Sequence, residues 1–77
     1  MVVGIDGRQI RSEADFHVAI GKALNFPSYY GKNLDALWDA LSANVEWPVR
    51  IIWCESSMSQ AEMSEDFGRI VEILRKV

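Results

Sequence analysis

Two short apolar runs, separated by segments of helical periodicity, most limit the folds that this chain can adopt. Residues 2–5 and 49–53 are rich in β-branched and aromatic side chains, which is typical of strands. Between and after these runs, apolar residues recur every three or four positions, as in amphipathic helices. Strands that alternate with helices predict an α/β fold with a parallel sheet packed by helices. The length of 77 residues predicts one domain over residues 1–77.

Two polar residues mark the starts of the first two long helices. Ser12, with Asp15 three positions later, predicts a helix start at which each side chain accepts a backbone N–H. Asn33 is a good N-cap for a helix over residues 34–43. The predicted buried stripes are Phe16, Ile20, Ala23 and Leu24 on the first helix and Leu34, Leu37, Trp38 and Leu41 on the second.

The remaining segments are read from turn residues and composition. Asp6-Gly7 predicts a turn in which the glycine takes a positive φ. Residues 55–63 are polar and serine-rich, and they fit either a loop or a short helix. Ser64 predicts the start of a last helix, whose buried stripe is Phe67, Ile70, Val71 and Leu74.

Charge and composition argue against several classes of protein. The net charge of −3 and the pI near 4.9 argue against nucleic acid as a ligand, since a phosphate backbone calls for a basic surface. The chain has no apolar run of about 18 residues, so no membrane span is expected, and its N-terminus does not read as a secretory signal. The single cysteine, Cys54, fits a reducing compartment. We therefore expect a cytoplasmic protein.

Acidic residues cluster in the segment 33–47, which holds Asp35, Asp39 and Glu46 and no Lys or Arg. Asp35 and Asp39 lie one turn apart on the predicted helix, where two like charges repel each other. One interpretation is a face for a positively charged partner. The other is an ordinary solvated helix face, which is the commoner origin of such a pair.

Catalysis and metal binding have little support in the sequence. Asp35 and Asp39 could serve as an acid–base pair, but an exposed helix face is convex, whereas such chemistry needs a concave site. We find no phosphate-binding loop, nucleophile motif or metal-ligand spacing, and we expect no enzyme activity, metal, cofactor or small-molecule substrate. His17 falls opposite the apolar stripe of its helix and is predicted to be exposed. Trp38 fits both a core position and a contact position.

A longer pattern carries a family resemblance. It comprises Tyr29-Tyr30-Gly31, the run 33–39 (Asn-Leu-Asp-Ala-Leu-Trp-Asp), and Val45-Glu46 before Pro48, with further matches upstream from Gly7 to His17 and downstream to Trp53. This pattern resembles the barstar family of intracellular inhibitors of secreted ribonucleases. The resemblance implies a small two-layer α/β fold, a cis Trp47–Pro48 bond, and a final strand that falls beyond Val77 and is expected to be missing here.

The resemblance also implies a binding site for a basic, extracellular-type microbial ribonuclease of guanyl specificity. Asp39 would be the central anchor against catalytic cations, Asp35 would pair with a neighbouring cation, and Tyr29, the more exposed of the two tyrosines, would stack on a catalytic-site residue. The expected lining is Asn33, Leu34 and Trp38, with a far edge of Ser42, Ala43, Asn44 and Glu46.

Two departures from the family pattern affect the expected partner. Ala43-Asn44 replaces a glycine-aromatic pair, and Lys76 replaces an acidic residue that contacts the enzyme. They favour a ribonuclease related to barnase over barnase itself. They also keep open an alternative function, an immunity or regulatory module for a different toxin or basic protein.

Overall fold

The computed structural model describes residues 2–43, 45 and 48–76. In these residues two strands, β1 (Val2–Asp6) and β2 (Arg50–Cys54), form a parallel sheet. The register pairs Val2 with Arg50 at one end and Asp6 with Cys54 at the other. Helices occupy most of the chain between and after the strands, so the predicted α/β fold with a parallel sheet packed by helices is confirmed.

The two faces of the sheet have different surroundings. Ile5 is buried, and Val3, Ile51 and Trp53 pack against the core from the same face, because alternate residues of a strand point to the same side. The indole of Trp53 stacks on Phe16 with ring centroids 5.1 Å apart. The opposite face is open. The buried core consists of Ile5, Ile10, Phe16, Ile20, Leu24, Leu37, Leu41, Met63 and Ile70.

Helix α1 (Glu13–Ala23) begins as predicted. The Ser12 hydroxyl accepts a hydrogen bond from the backbone N–H of Asp15, and the Asp15 carboxylate accepts one from the N–H of Arg11. Side chains thus satisfy two backbone donors near the helix start, where no helical carbonyl is available. The predicted stripe of the helix faces the core.

Helix α2 (Leu34–Ala43) has the bounds that the sequence predicts. Asn33 caps it, since its Oδ1 accepts a hydrogen bond of 2.7 Å from the N–H of Ala36. Leu37 and Leu41 are fully buried, and they fasten one side of the helix to the core. The other side is left to solvent.

The serine-rich segment is a helix, α3 (Ser56–Met63), and α4 (Glu65–Lys76) follows it after one residue. Glu55 and Ser64 both have a positive φ, so each marks a sharp change of chain direction. On α4 the core contacts come from Phe67, Ile70, Leu74 and Ile73. The predicted stripe is therefore wrong at Val71, which does not join the core cluster; Ile73 does.

Gly7 differs from its prediction. It begins a short 3₁₀ turn (Gly7–Gln9), and its φ is not positive. A Cβ at this position would overlap the carbonyl oxygen of Glu55 and lie 2.6 Å from that of Cys54. Glycine is thus required by the close approach of two backbones. The turn is capped by Asp6, whose pKa is lowered by its side-chain hydrogen bonds with Arg8.

Candidate functional site

The exposed side of α2 carries both predicted carboxylates. Asp35 and Asp39 are exposed and lie four residues apart, so their side chains project from adjacent turns of the helix. Within residues 2–43, 45 and 48–76, neither carboxylate has an ion-pair or hydrogen-bond partner. Two negative charges thus lie on adjacent turns of α2 without a neutralising cation among the described residues.

The packing of α2 holds these charges in a fixed place. The Asn33 cap orders the first turn, and the buried Leu37 and Leu41 hold the helix against the core. Leu34 is half-buried against the same core, so only part of it is available for contact. Trp38 is 43% exposed and does not join the core cluster, so its predicted place in the buried stripe is wrong. Its role as a contact residue stays a prediction.

The two tyrosines before α2 point in opposite directions. Tyr29 is 81% exposed, as the motif predicts for the outer residue of the pair. Tyr30 turns inward, and the centroids of its ring and that of Phe26 are 4.9 Å apart. Its hydroxyl lies 2.6 Å from Nδ1 of His17. Burial raises the pKa of Tyr30 to about 12, with the Glu13 charge adding to the effect. The phenol therefore keeps its proton at neutral pH.

A shallow notch of about 180 Å³ lies between the tyrosine loop and α2. The loop side of the notch, or loop wall, includes Tyr29, and the helix side includes Asp39. The lining includes Tyr29, Tyr30, Gly31, Ala36, Asp39 and Ala40. The notch thus combines an aromatic surface with a carboxylate.

The far edge of the predicted site is described only in part. Ser42 and Ala43 are exposed at the end of α2, where a partner could reach them. Asn44 and Glu46 lie outside the described residues, as does Trp47 with its predicted cis bond. Lys76 is exposed at the end of α4, and its Nζ lies 3.0 Å from the Glu72 carboxylate.

His17 contradicts its sequence prediction. Its side chain is 1% exposed, not solvated, and both ring nitrogens have partners. Nδ1 faces the Tyr30 hydroxyl, and Nε2 lies 3.0 Å from the carboxylate of Glu13. The i, i+4 spacing of Glu13 and His17 could have predicted the contact between these two side chains. The sequence contains no pattern that predicts the contact with Tyr30, because that contact depends on how the loop returns onto α1.

Other kinds of site find no support in the described part of the chain. None of its helices is long and apolar enough to cross a membrane. No group of three or more His, Cys, Asp or Glu side chains there could hold a metal ion. Cys54 is an exposed free cysteine at the end of β2.

Comparison with known proteins gives two findings. The family model described as Barstar (barnase inhibitor) matches residues 1–77. The chain is also similar to a protein of Bacillus subtilis (strain 168) that bears the name "Putative ribonuclease inhibitor YrdF". The two are 32% identical over 72 residues, which cover 94% of this chain and 79% of that protein.

Proposed function

The chain belongs to the barstar family, and from this premise we propose that it is a stoichiometric inhibitor of a secreted, guanyl-specific ribonuclease of the barnase type. Family membership supports a ribonuclease-inhibitor role, carried out by binding and without catalytic activity of the chain itself. The acidic helix α2 would block the basic active site of the enzyme. In this role the chain would act in the cytoplasm and protect the cell that produces the ribonuclease.

The observation that carries this proposal is the pair of carboxylates on α2, exposed and without ion-pair partners in the described residues. A ribonuclease must bind the phosphates of RNA, so its active-site groove carries positive charge. Asp39 and Asp35 offer anions to such a groove. Because α2 is already held by its cap and its buried leucines, little conformational freedom is lost on binding.

The notch beside Asp39 suggests how a single enzyme side chain would be held. A cationic or protonated ring side chain that enters it would meet the face of Tyr29 on one wall and the Asp39 carboxylate on the other. The first contact is a stacking or cation–π interaction, and the second is a charge-assisted hydrogen bond. These two contacts require a group that is both planar and positive.

The other predicted residues would surround this centre. Asn33, Leu34 and the exposed part of Trp38 would line the contact along α2, and Ser42, Ala43, Asn44 and Glu46 would form its far edge. Opposite charge on the two surfaces would also speed their encounter, which gives the association a strong dependence on salt.

A second candidate function has its own observation. Ala43 and Lys76 are both exposed, and they replace a glycine and an acid of the family pattern. An edge that lacks the aromatic ring of the family pattern and carries a cation in place of an acid would fit a partner whose surface differs from that of barnase. The alternative is an immunity or regulatory module for another toxin or basic protein. Binding to such a protein, combined with failure to inhibit any guanyl-specific ribonuclease, would favour it.

A titration of ribonuclease activity tests the leading proposal. Increasing amounts of the chain are added to a fixed concentration of a microbial guanyl-specific ribonuclease, and we expect activity to fall linearly to a sharp endpoint at equimolar chain. Full activity at a large molar excess would contradict the proposal.

A matched pair of variants shows whether the α2 charges are responsible. Asp35→Asn with Asp39→Asn removes two charges from α2, and this variant should require a large excess to inhibit. Glu65→Gln with Asp66→Asn removes two charges from α4, and it should retain the sharp endpoint. Equal behaviour of the two variants would assign the effect to net charge alone.

A further inference from the structure

A part-buried chain of hydrogen bonds connects α1 to the tyrosine loop. Glu13 Oε2 lies 3.0 Å from His17 Nε2, and His17 Nδ1 lies 2.6 Å from the hydroxyl of Tyr30. His17 is 1% exposed, and its ring also meets those of Phe16 and Tyr30 edge-on. Both nitrogens of a buried imidazole are thus used within the chain.

The direction of each hydrogen bond follows from the chemistry of the groups. The Glu13 carboxylate can only accept, so Nε2 of His17 carries a proton and donates to it. In the neutral imidazole Nδ1 is then an acceptor, and the Tyr30 hydroxyl donates to it. The neutral Nε2–H tautomer of His17 therefore satisfies all three residues at once.

The loop end of this chain is part of the proposed binding site. Tyr30 lines the notch together with its neighbours Tyr29 and Gly31, opposite Asp39. Its backbone N–H donates to the carbonyl of Pro27 at 3.0 Å, which closes a turn within the loop. The position of the Tyr30 side chain therefore affects the position of Tyr29, its neighbour in the loop wall of the notch.

We propose that Glu13, His17 and Tyr30 are positioning residues for partner binding, which hold the loop wall of the notch at a fixed distance from Asp39. The proposal rests on the proposed function, since it assumes that the notch receives a ribonuclease side chain. None of the three residues needs to touch the partner through the atoms that form the chain of hydrogen bonds. Their contribution is to keep Tyr29 in place before the enzyme arrives.

The test compares Tyr30→Phe with Ser59→Ala. Tyr30→Phe removes only the hydroxyl at the loop end and keeps the ring. Ser59→Ala removes another buried hydroxyl, one that accepts from Trp53 Nε1 and donates to the carbonyl of Gly7, and it does not line the notch. Both variants lose stability, so stability alone cannot account for a difference between them in binding.

In the free chain, we expect Tyr30→Phe to speed hydrogen exchange of the Tyr30 amide about tenfold relative to the other amides, the effect of losing one net hydrogen bond. Ser59→Ala should leave that relative rate unchanged. Unchanged exchange in Tyr30→Phe overturns the proposal, and this result does not depend on any partner.

In the second arm, the affinity for a guanyl-specific ribonuclease should fall about tenfold in Tyr30→Phe, for the same reason, and should not change in Ser59→Ala. Wild-type affinity in Tyr30→Phe overturns the positioning role. Absence of binding by the unmodified chain, together with the expected exchange, overturns the proposed function and leaves the anchoring of the loop supported.

Discussion

Two regions of the molecule differ in whether their polar groups form hydrogen bonds within the chain or are exposed to solvent. At the junction of the strand ends with α3, Ser59 accepts a hydrogen bond from Trp53 Nε1 and donates one to the carbonyl of Gly7. In the part of the chain that the structure describes, no buried side-chain nitrogen or oxygen lacks a hydrogen-bond partner. On the proposed recognition face, formed by Tyr29, Asp35, Trp38 and Asp39, polar groups are exposed to solvent. We infer that the first region stabilises the fold, whereas the side chains of the second remain available to contact a partner.

The acidic residues of two helices show the same contrast. On α4, Glu65 and Asp66 lie 3.8 and 3.6 Å from the guanidinium of Arg69, and Glu72 pairs with Lys76. The carboxylates of Asp35 and Asp39 on α2 have no such cation in the described residues. Since neither α2 carboxylate has an ion-pair partner in the described residues, their removal should weaken binding and cost little stability.

The largest expected effect is that of Asp39→Ala on binding. Loss of a carboxylate from a desolvated charge pair costs about 2–5 kcal/mol, a range that measurements on the barnase–barstar complex itself helped to define. We expect affinity for the ribonuclease to fall by at least about 30-fold, the low end of that range. The free energy of unfolding should stay constant or rise by about 0.5 kcal/mol, because a repulsive pair is removed. Calorimetry and urea unfolding measure the two quantities.

Asp66→Ala is the matched control for that prediction. It removes an acid of equal charge from α4, where Arg69 is its partner. We expect unchanged affinity and a small loss of stability. An equal loss of affinity in both variants would contradict the claim that the acids of α2, and not those of α4, contribute to binding.

Gly7→Ala should have effects opposite to those of Asp39→Ala, a loss of stability with little change in affinity. The added methyl group would overlap the Glu55 carbonyl, and the neighbouring backbone cannot move aside as a flexible side chain would. We expect the free energy of unfolding to fall by about 3 kcal/mol or more, near the upper range for overpacking. Under conditions in which the variant is folded, its affinity should be close to that of the unmodified chain. Wild-type stability of this variant would refute the close approach of the two backbones.

Ser59→Ala is a milder change in the same region. It leaves the indole N–H of Trp53 without its partner and removes one of two donors to the Gly7 carbonyl, which also accepts from the N–H of Ile10. We expect a loss of about 1–3 kcal/mol in the free energy of unfolding, the cost of leaving a buried polar group unsatisfied. Denaturant unfolding measures this loss. A neutral result would mean that water or a rearranged side chain replaces the hydroxyl.

The smallest expected effect is a gain in stability. Gly68 lies inside α4, and a Cβ there would meet no atom within 4 Å. Gly68→Ala should therefore raise the free energy of unfolding by about 1 kcal/mol, the difference in helix propensity between the two residues. Affinity should not change, since the position is remote from the recognition face. A lower melting temperature would contradict this prediction.

Local patterns were sufficient to predict most of the fold. The helical repeat and the Asn33 cap predicted the bounds of α2, and β-branched residues predicted both strands to within a residue. These features succeed because each depends on neighbours in sequence. The outward position of Tyr29 was also predicted, through the family motif.

The errors occur where distant segments meet. Periodicity placed His17 on the solvent side of α1, but the loop that carries Tyr30 returns over that side and buries it. Gly7 was assigned to a turn that needs positive φ, whereas its role depends on Glu55, almost fifty positions later. Both contacts join segments that are distant in sequence, and patterns of neighbouring residues do not predict such contacts. Neither could therefore be derived from a single sequence.

The most direct test of the central claim is an NMR map of the surface that binds the ribonuclease. A catalytically blocked guanyl-specific enzyme is added to isotope-labelled chain, and shifts of the backbone amides are followed. We predict large shifts for residues 29–43, centred on Asp39, and negligible shifts for the 3₁₀ turn (Gly7–Gln9) and α3. Large shifts at the turn and α3, with α2 unaffected, would contradict the claim that the open charges of α2 form the binding face.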